Sequence, residues 1–419
     1  MAPRPSMFSR RQLNLLIIVT ATVIALLSIP AEPWPQIQRS ALPLMPLSYI
    51  SDDDLPPELR LSFALPRPSL LPPAPQRILL QLLEQRLASS GSAYSIRLHR
   101  DRITATIKAA SASALRLPLQ QLPALLTQPF ARDAINHAIN LERAQQHLRR
   151  NQPSPLLQAD AWLPQQHPDS NPDEVSLELI NLLQQRLFSR SPSSLSLTGL
   201  PPEPLIATLN SALQQFGSVF EGSAPAGSVL GGSESPDPEL TGARDLRASS
   251  TRSAAAPADL GPVAALQPLP GRASPRFPQA LLLSRMLETL VPEARIRFYP
   301  GSETSWLIWL TPQASEPWLT DQIRQLKLRL AAMKDWEFER AADDLRAQLE
   351  RRMQDPAAIA EQLEVIAFYQ LPVDYLPQFE ATIASLTRTQ IRQQLLDLLQ
   401  PGRFSYPANP AFNNALSKP

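Results

Sequence analysis

The apolar positions of the chain form one unbroken run near its start and many shorter periodic segments after it. The unbroken run covers residues 13–29, carries no charge and follows Arg4, Arg10 and Arg11. Roughly 17 to 25 helical residues cross the hydrocarbon core of a bilayer, and positive residues mark the cytoplasmic side. We therefore predict that residues 1–30 are a cytoplasmic N-terminus and a transmembrane anchor, with the bulk of the chain on the outer side.

A cleaved signal peptide is the alternative interpretation of this run. The apolar stretch of a signal peptide is usually about 7 to 15 residues long and ends at a site of small residues. Here the run is longer, and the site at residues 29–31 is a poor one because Pro30 lies beside the scissile bond. Both interpretations export the rest of the chain. Residues 31–54 contain four prolines and are predicted to be a spacer, with Trp34 at the membrane interface.

Shorter periodic segments fill residues 55–220, which we predict to be a first folded unit. Apolar residues recur there at helical spacing in some segments and alternate in others. In order, the segments predict a strand at 59–65, a helix at 76–87, a hairpin of 94–98 and 103–107, helices at 117–126, 131–149 and 173–188, a strand at 194–198 and a helix at 204–216.

A second unit with a similar order of elements is predicted at residues 276–419. Between the two units, residues 221–275 hold seven of the twelve glycines without apolar periodicity, which is typical of a flexible linker. The second unit is predicted to contain a helix at 277–290, a hairpin of 294–299 and 306–311, helices at 319–333, 336–352, 357–370 and 387–399, and a strand at 404–406. The repeated order indicates an internal duplication of an α+β unit.

Composition removes several classes of function. The formal charge is +1 and charged residues make up 18% of the chain, so no basic surface for nucleic acid is expected. The chain has no cysteine, which excludes a thiol nucleophile, a disulfide framework and a cysteine-ligated zinc site. No glycine-rich phosphate loop and no nucleophile elbow occurs.

The C-terminal part of the chain carries a set of short segments in sequence. They are WEFERA at 336–341, FYQLPVDY at 368–375, IASLT at 383–387 and LQPGR at 399–403. This set resembles the C-terminal half-domain of the insulinase/pitrilysin family of zinc metallopeptidases. The resemblance implies two homologous α+β half-domains that close around a chamber for an unfolded peptide.

The zinc site of that family is missing from this sequence. The resemblance places an inverted His-x-x-Glu-His motif on the first helix of the first half, with a third ligand from a later helix. The corresponding helix reads RILLQLLE at 77–84, so no histidine pair exists, and Glu84 alone cannot hold zinc. Glu142 lies near the position of the third ligand and is predicted to be a surface helix charge. We predict no catalytic residue, no metal ligand and no cofactor.

Other candidate residues are interpreted as structural. The family's peptide-contacting Arg and Tyr lie seven residues apart, and this spacing is not met by Arg295, Arg297 and Tyr299. The histidines His99, His137, His147 and His167 are predicted to be solvated or packed, since the two on one helix lie about 15 Å apart. Packing is also predicted for Trp306 and Trp309, and a solvated helix face for Glu337, Glu339, Asp343 and Asp344.

Together these observations predict a non-catalytic insulinase-like protein in the inner membrane of a Gram-negative bacterium, facing the periplasm and anchored through residues 13–29. Its expected partner is an active zinc peptidase of the same family, whose unfolded peptide substrates it would help to bind. A stand-alone periplasmic binding or scaffold protein of the cell envelope is the alternative. An enzyme with an unrecognised site is the second alternative, which a bound metal would favour.

Overall fold

The computed structural model describes residues 34–65, 73–91, 93–99, 101–151, 172–221, 263–290, 295–310, 316–400 and 403–404. They form two β-sheets, one from each half of the sequence, each covered on one face by helices from the same half. The predicted anchor, residues 13–29, lies outside the described part of the chain. Among the described helices, none has the length and apolar character needed to span a membrane.

The first sheet has six strands in the order β1-β2-β6-β3-β5-β4. Its strands are β1 (Gln38–Ala41), β2 (Pro46–Ile50), β3 (Glu58–Ala64), β4 (Tyr94–Leu98), β5 (Arg102–Lys108) and β6 (Ser194–Thr198). Only β2 and β6 run parallel; the other neighbours are antiparallel. Gly199 ends β6 with φ of 74°, and a Cβ there would lie 2.3 Å from the Leu55 carbonyl oxygen, so the site requires glycine.

Residue alternation gives this sheet two different faces. Leu59, Leu61 and Phe63 of β3 point to a core shared with the helices of the first half, whereas Arg60 and Ser62 point the other way and are also buried. The helices over the apolar face are α1 (Pro73–Ser90), α2 (Ala112–Thr127), α3 (Arg132–Asn151), α4 (Leu177–Phe188) and α5 (Ile206–Glu221), with short 3₁₀ turns at Pro172–Glu174 and Glu203–Leu205.

The second sheet has three strands in the order β7-β9-β8. They are β7 (Val263–Pro270), β8 (Arg295–Tyr299) and β9 (Thr304–Leu310), all antiparallel. The helices of this half are α6 (Phe277–Leu290), α7 (Glu316–Ala332), α8 (Asp335–Arg352), α9 (Pro356–Phe368), α10 (Tyr375–Ser385) and α11 (Arg388–Leu398). A core of side chains from β7, β9, α6, α8, α10 and α11 lies between this sheet and its helices.

Helix α9 leaves its own half and covers the polar face of the first sheet, where it packs on β6, β2 and β3. Asp355 caps its start by accepting a hydrogen bond from the Ala357 amide at 3.0 Å. The helix is apolar nearly all round, with Ile359, Leu363 and Ile366 buried against residues 34–55. This crossing joins the two halves of the molecule.

The predicted spacer at 31–54 is wrong from Trp34 onward. Residues 38–50 supply β1 and β2, and Trp34 is 8% exposed in a core with α9. The Trp34 indole donates from Nε1 to Glu380 Oε2 at 2.7 Å, so this side chain packs inside the protein and not at a membrane interface. Prolines are frequent in linkers but are also tolerated at strand ends, so they do not distinguish a spacer from the short strands β1 and β2.

Three further differences concern the second half. Strand β7 occupies part of the predicted linker 221–275. The sequence pattern does not predict this strand, because its apolar residues are interrupted by Pro268 and lack a clean alternation. Helix α10 was not predicted at all; Pro377 in its first turn is compatible with a helix. The strand predicted at 404–406 is absent at Phe404, and its other residues lie outside the described part of the chain.

Candidate functional site

A buried polar cluster lies between α1 and α3. The Arg77 Nε donates to Glu142 Oε1 at 2.7 Å, and the Glu142 side chain is completely buried. One turn further along, Gln81 Nε2 donates to Gln145 Oε1 at 3.1 Å. Buried carboxylates are stable in a protein interior when a cation and hydrogen bonds satisfy them, and Arg77 supplies both to Glu142.

This cluster occupies the place where the resemblance puts a zinc site. In the segment RILLQLLE, which the resemblance places on the motif helix, Arg77 and Gln81 lie one turn apart, and Glu142 contacts Arg77 from the later helix. The residues do not fit a zinc ion, because zinc needs histidine, cysteine or carboxylate ligands and a guanidinium cation would repel it. Among the described residues, no group of three or more histidine or acidic side chains could hold a metal.

Glu142 was predicted to be a surface charge, and this prediction is wrong. Its carboxylate is buried because α3 turns this side toward α1, where Arg77 approaches from the facing helix. Glu84, the other acidic candidate, is on α1 and lies on its exposed side. The buried face of α3 could not be predicted from the sequence pattern, since Leu141 and Leu148 on α3 are exposed.

A second buried cluster lies between the two halves and is centred on Glu364 of α9. Its Oε1 accepts from Arg102 Nε at 2.7 Å and from the Thr104 hydroxyl at 2.7 Å. Its Oε2 accepts from Arg60 Nη1 at 3.1 Å. Burial alone would favour the protonated acid, but Arg102, through its charge and its hydrogen bond, and Thr104 lower the Glu364 pKa. The carboxylate is therefore ionised and holds four donors from the first sheet, the fourth being the Ser62 hydroxyl at 3.4 Å from Oε1.

The hairpin turn between β4 and β5 completes this cluster. Arg102 Nη1 lies 3.0 Å from Asp101 Oδ1, and the Tyr369 hydroxyl donates to Asp101 Oδ2 at 2.6 Å. His99 Nε2 is buried 3.7 Å from Glu364 Oε1 and has no hydrogen-bond partner among the described residues. Burial, followed by the charge of Arg102, lowers the His99 pKa, so this imidazole is neutral at pH 7.

Among the sequence candidates, His99 lies in the predicted turn as part of the Glu364 cluster. His137 and His147 are exposed on α3, and His167 is outside the described residues. On β8, Arg297 is exposed and Tyr299 is half-buried. Helix α8 turns Glu339, Asp343 and Asp344 to solvent while Glu337 is half-buried, with Asp343 paired to Arg346 at 3.0 Å and Asp344 to Arg340 at 3.8 Å.

The tryptophans on β9 follow the predicted alternation. Trp309 is completely buried and donates from Nε1 to Gln267 Oε1 at 2.9 Å, whereas Trp306 on the opposite face is half-buried. Both therefore serve the packing of the second sheet.

No protein-family profile matches the chain, and no curated protein matches it in sequence. Solved structures do match. The M16 peptidase inactive domain from Pseudomonas fluorescens has a TM-score of 0.61 at 15% identity, covering 88% of this chain and 96% of that one. A protease from Helicobacter pylori has a TM-score of 0.60 at 11% identity, covering 88% of this chain and 98% of that one.

The chain has an M16-like fold. A chain of Complex III2 from Candida albicans shares it, with a TM-score of 0.56 at 11% identity over 86% of this chain and 92% of that one. The predicted mixture of helices and strands in an insulinase-like arrangement is confirmed at this level, because M16-like structures cover nearly the whole length. The transmembrane anchor and the periplasmic location stay predictions.

The Glu364 cluster of this M16-like fold was missed in the sequence. One signal was available: Glu364 is the only acidic residue among the apolar positions 362–368 of a helix that is buried on most sides. A lone charge in such a helix indicates a partner from another element. The identity of that partner, Arg102, depends on the crossing of α9 and could not be read from local pattern.

Proposed function

We propose that this protein is a membrane-anchored, periplasm-facing and non-catalytic homologue of the insulinase-like peptidases. It acts as the partner subunit of an active zinc peptidase and contributes to binding the peptide substrate. The observation that carries this proposal is the ion pair between Arg77 and Glu142, which joins the two helices on which the resemblance would place the zinc ligands. A guanidinium already neutralises this carboxylate, so the site has a stable alternative to metal.

The comparison with a domain described as inactive supports this interpretation, since an M16 fold without peptidase activity has a counterpart in the Pseudomonas fluorescens protein. An inactive half can still enclose and hold a peptide. The described part of the first sheet ends at β4, whose Ser95 and Arg97 are exposed. Main-chain hydrogen bonds to an edge strand bind an extended peptide without requiring particular side chains.

Native purification tests the proposal. The tagged full-length protein is extracted from membranes in mild detergent, and co-purifying chains are identified by mass spectrometry. Peptide cleavage is then measured with and without a zinc chelator. We expect a stoichiometric partner with an intact zinc motif and chelator-sensitive cleavage. The matched control is the same chain after the partner has been removed, which should show no cleavage.

A protein that purifies alone, without metal and without cleavage, would contradict the partner role and favour the alternative of a stand-alone envelope binding or scaffold protein. Cleavage by the isolated chain, or zinc bound to it, would contradict the non-catalytic assignment. Location is tested separately by adding protease to spheroplasts. Digestion of the folded part in intact spheroplasts is expected, and protection until lysis would place it in the cytoplasm.

A further inference from the structure

The first described residue, Trp34, is held by both halves of the protein. Its side chain packs in a core with Ile359 and Leu363 of α9, and its indole donates to Glu380 of α10 at 2.7 Å. Four residues later the chain enters β1, which pairs with β2 and through it joins the first sheet. Residue 34 is therefore fixed to the folded body and is not the end of a loose tail.

The connector between the predicted anchor and Trp34 is short. The predicted anchor ends at residue 29, and residues 30–33 read Pro-Ala-Glu-Pro. An extended chain advances at most about 3.6 Å per residue, so the five steps from residue 29 to Trp34 span roughly 18 Å or less. The headgroup layer on each side of a bilayer is roughly 5 to 8 Å thick. An anchor that ends at residue 29 therefore keeps Trp34 within roughly 13 Å of the headgroup surface.

This reach is small compared with the folded body. A compact chain of this length is roughly 50 Å across. Trp34 packs with α9, which covers the polar face of the first sheet, whereas α1 to α5 cover the apolar face. Because packed layers lie roughly 10 Å apart, the outer surface of α1 to α5 is more distant from the connector by at least the thickness of the sheet and one helix layer. The side of the body that carries Trp34 is the side within reach of a bilayer.

The surface beside Trp34 is compatible with a headgroup layer. Glu380 is the single charged residue of α10, and its carboxylate accepts the indole hydrogen bond of Trp34. Exposed uncharged residues of α10 lie within about one helical turn of Glu380, namely Pro377, Ala381 and Ala384. Gln36, two residues after Trp34, is also exposed. A surface of this kind approaches lipid without the cost of removing water from an ion. We call these four exposed residues the α10 face.

We infer that the α10 face lies against the outer surface of the bilayer, with lipid headgroups as its partner. The length of the connector and the burial of Trp34 at its end carry this inference. The contacts of Trp34 with α9 and α10, together with strands β1 and β2, hold both halves in one orientation, with α1 to α5 directed away from the lipid. The inference rests on the membrane anchoring in the proposed function and is independent of the peptidase partner.

Fluorescence quenching by lipid tests the orientation in the full-length protein. The chain has no cysteine, so one introduced cysteine carries one fluorophore. The labelled protein is placed in phosphatidylcholine nanodiscs with or without lipid that bears a spin label on its headgroup. Ala381→Cys and Gln36→Cys report on the α10 face. Leu117→Cys is the matched control, because Leu117 is 61% exposed on α2, in the helix layer on the other side of the first sheet. We expect the spin-labelled lipid to remove most of the fluorescence at positions 381 and 36 and to leave that at position 117 unchanged.

A longer connector tests the cause of the orientation. Insertion of roughly 20 Gly/Ser residues after Glu32 adds a flexible chain with an end-to-end distance of roughly 25 Å. The insertion precedes Trp34 and leaves every described contact of the body in place. We expect the quenching at Ala381→Cys to be largely lost in this variant. Undiminished quenching would show that the connector does not set the orientation, and would overturn the inference.

The outcomes separate this inference from the proposed function. Equal quenching at the three positions, or the strongest quenching at position 117, would overturn the orientation while leaving the anchor in place. A full-length protein that does not enter nanodiscs would overturn the anchor and the orientation together. The partner role is decided by the native purification alone, so a protein that purifies without a peptidase and still shows quenching at positions 381 and 36 would keep the orientation and contradict the partner role.

Discussion

Arg102 and Glu364 are separated by 262 positions in the sequence, and the Nε of the arginine lies 2.7 Å from the Oε1 of the glutamate. Both side chains are buried, at 6% and 2% exposure. The contact joins β5 of the first half to α9 of the second, so it forms only when the two halves are docked. Its strength depends on the docking that it stabilises, because water would screen the pair if α9 moved away.

Replacing Glu364 should destabilise the whole protein. In Glu364→Gln the carboxylate charge is lost and the buried Arg60 and Arg102 keep one fewer partner, which typically costs about 3–5 kcal/mol in the free energy of unfolding. Chemical denaturation of the purified protein measures the change. Glu361→Gln is the matched control on the same helix, and its effect should stay within about 0.5 kcal/mol because this side chain is 45% exposed and its ion pair with Arg352 is long, at 3.9 Å. Equal effects of the two variants would contradict the prediction.

The contribution of Glu364 should disappear in acid. Its pKa is lowered in the folded protein, so the folded state binds fewer protons than the unfolded state around and below the ordinary carboxyl pKa of about 4.3. The stabilisation is fully present above that value and is lost as the pH falls through the lower folded pKa. The pKa of His99 is also lowered, which adds a loss of stability below about pH 6.5.

Unfolding free energies measured from pH 7 down to pH 3 test both effects. The difference between wild type and Glu364→Gln should shrink in the acidic part of this range. His99→Gln should remove the part of the slope that begins near the histidine pKa. A constant difference between wild type and Glu364→Gln at all pH values would show that the carboxylate charge does not stabilise the fold.

Trp34 should be as important as a residue of the central core, although it follows directly on the predicted membrane segment. Trp34→Ala removes a side chain that is 8% exposed and a hydrogen bond to Glu380, which should cost about 3–5 kcal/mol. Trp336→Ala is the matched control, since Trp336 is 54% exposed, and it should change stability by less than about 0.5 kcal/mol. Thermal and chemical denaturation of the two variants measure these changes. A Trp34→Ala variant as stable as the wild type would contradict the burial of Trp34 in this core.

The α1–α3 cluster should accept zinc once its arginine is removed. The triple variant Arg77→His, Leu80→Glu and Gln81→His places two imidazoles one turn apart opposite Glu142, which is a three-ligand zinc site. We expect about one zinc per chain after dialysis, measured by elemental analysis. Adding Glu142→Gln to the triple variant should lower the affinity about 10-fold or more, whereas adding Glu84→Gln on the exposed side should not. A triple variant that folds and binds no zinc would show that the two helices are not arranged around a metal position.

Local signals of the sequence were sufficient for much of the secondary structure. The capping box of Thr387 and Gln390 at the start of α11 is present, with the Gln390 amide donating to the Thr387 hydroxyl at 3.3 Å. The hairpin of β4 and β5 and the buried strand β6 were predicted within a residue or two. These features depend on alternation and on side chains within one turn of each other, which the sequence displays directly.

The sequence by itself also determined what the chain lacks, since the absence of cysteine and of the inverted histidine motif needs no coordinates. Only the tertiary structure decided which charges are buried. Glu142 and Glu364 lie on amphipathic or apolar helices whose buried face depends on what packs against them, and their partners Arg77 and Arg102 lie 65 and 262 residues away. A buried charge is tolerated only where a distant element supplies its counter-charge, and that pairing exists only after the chain has folded.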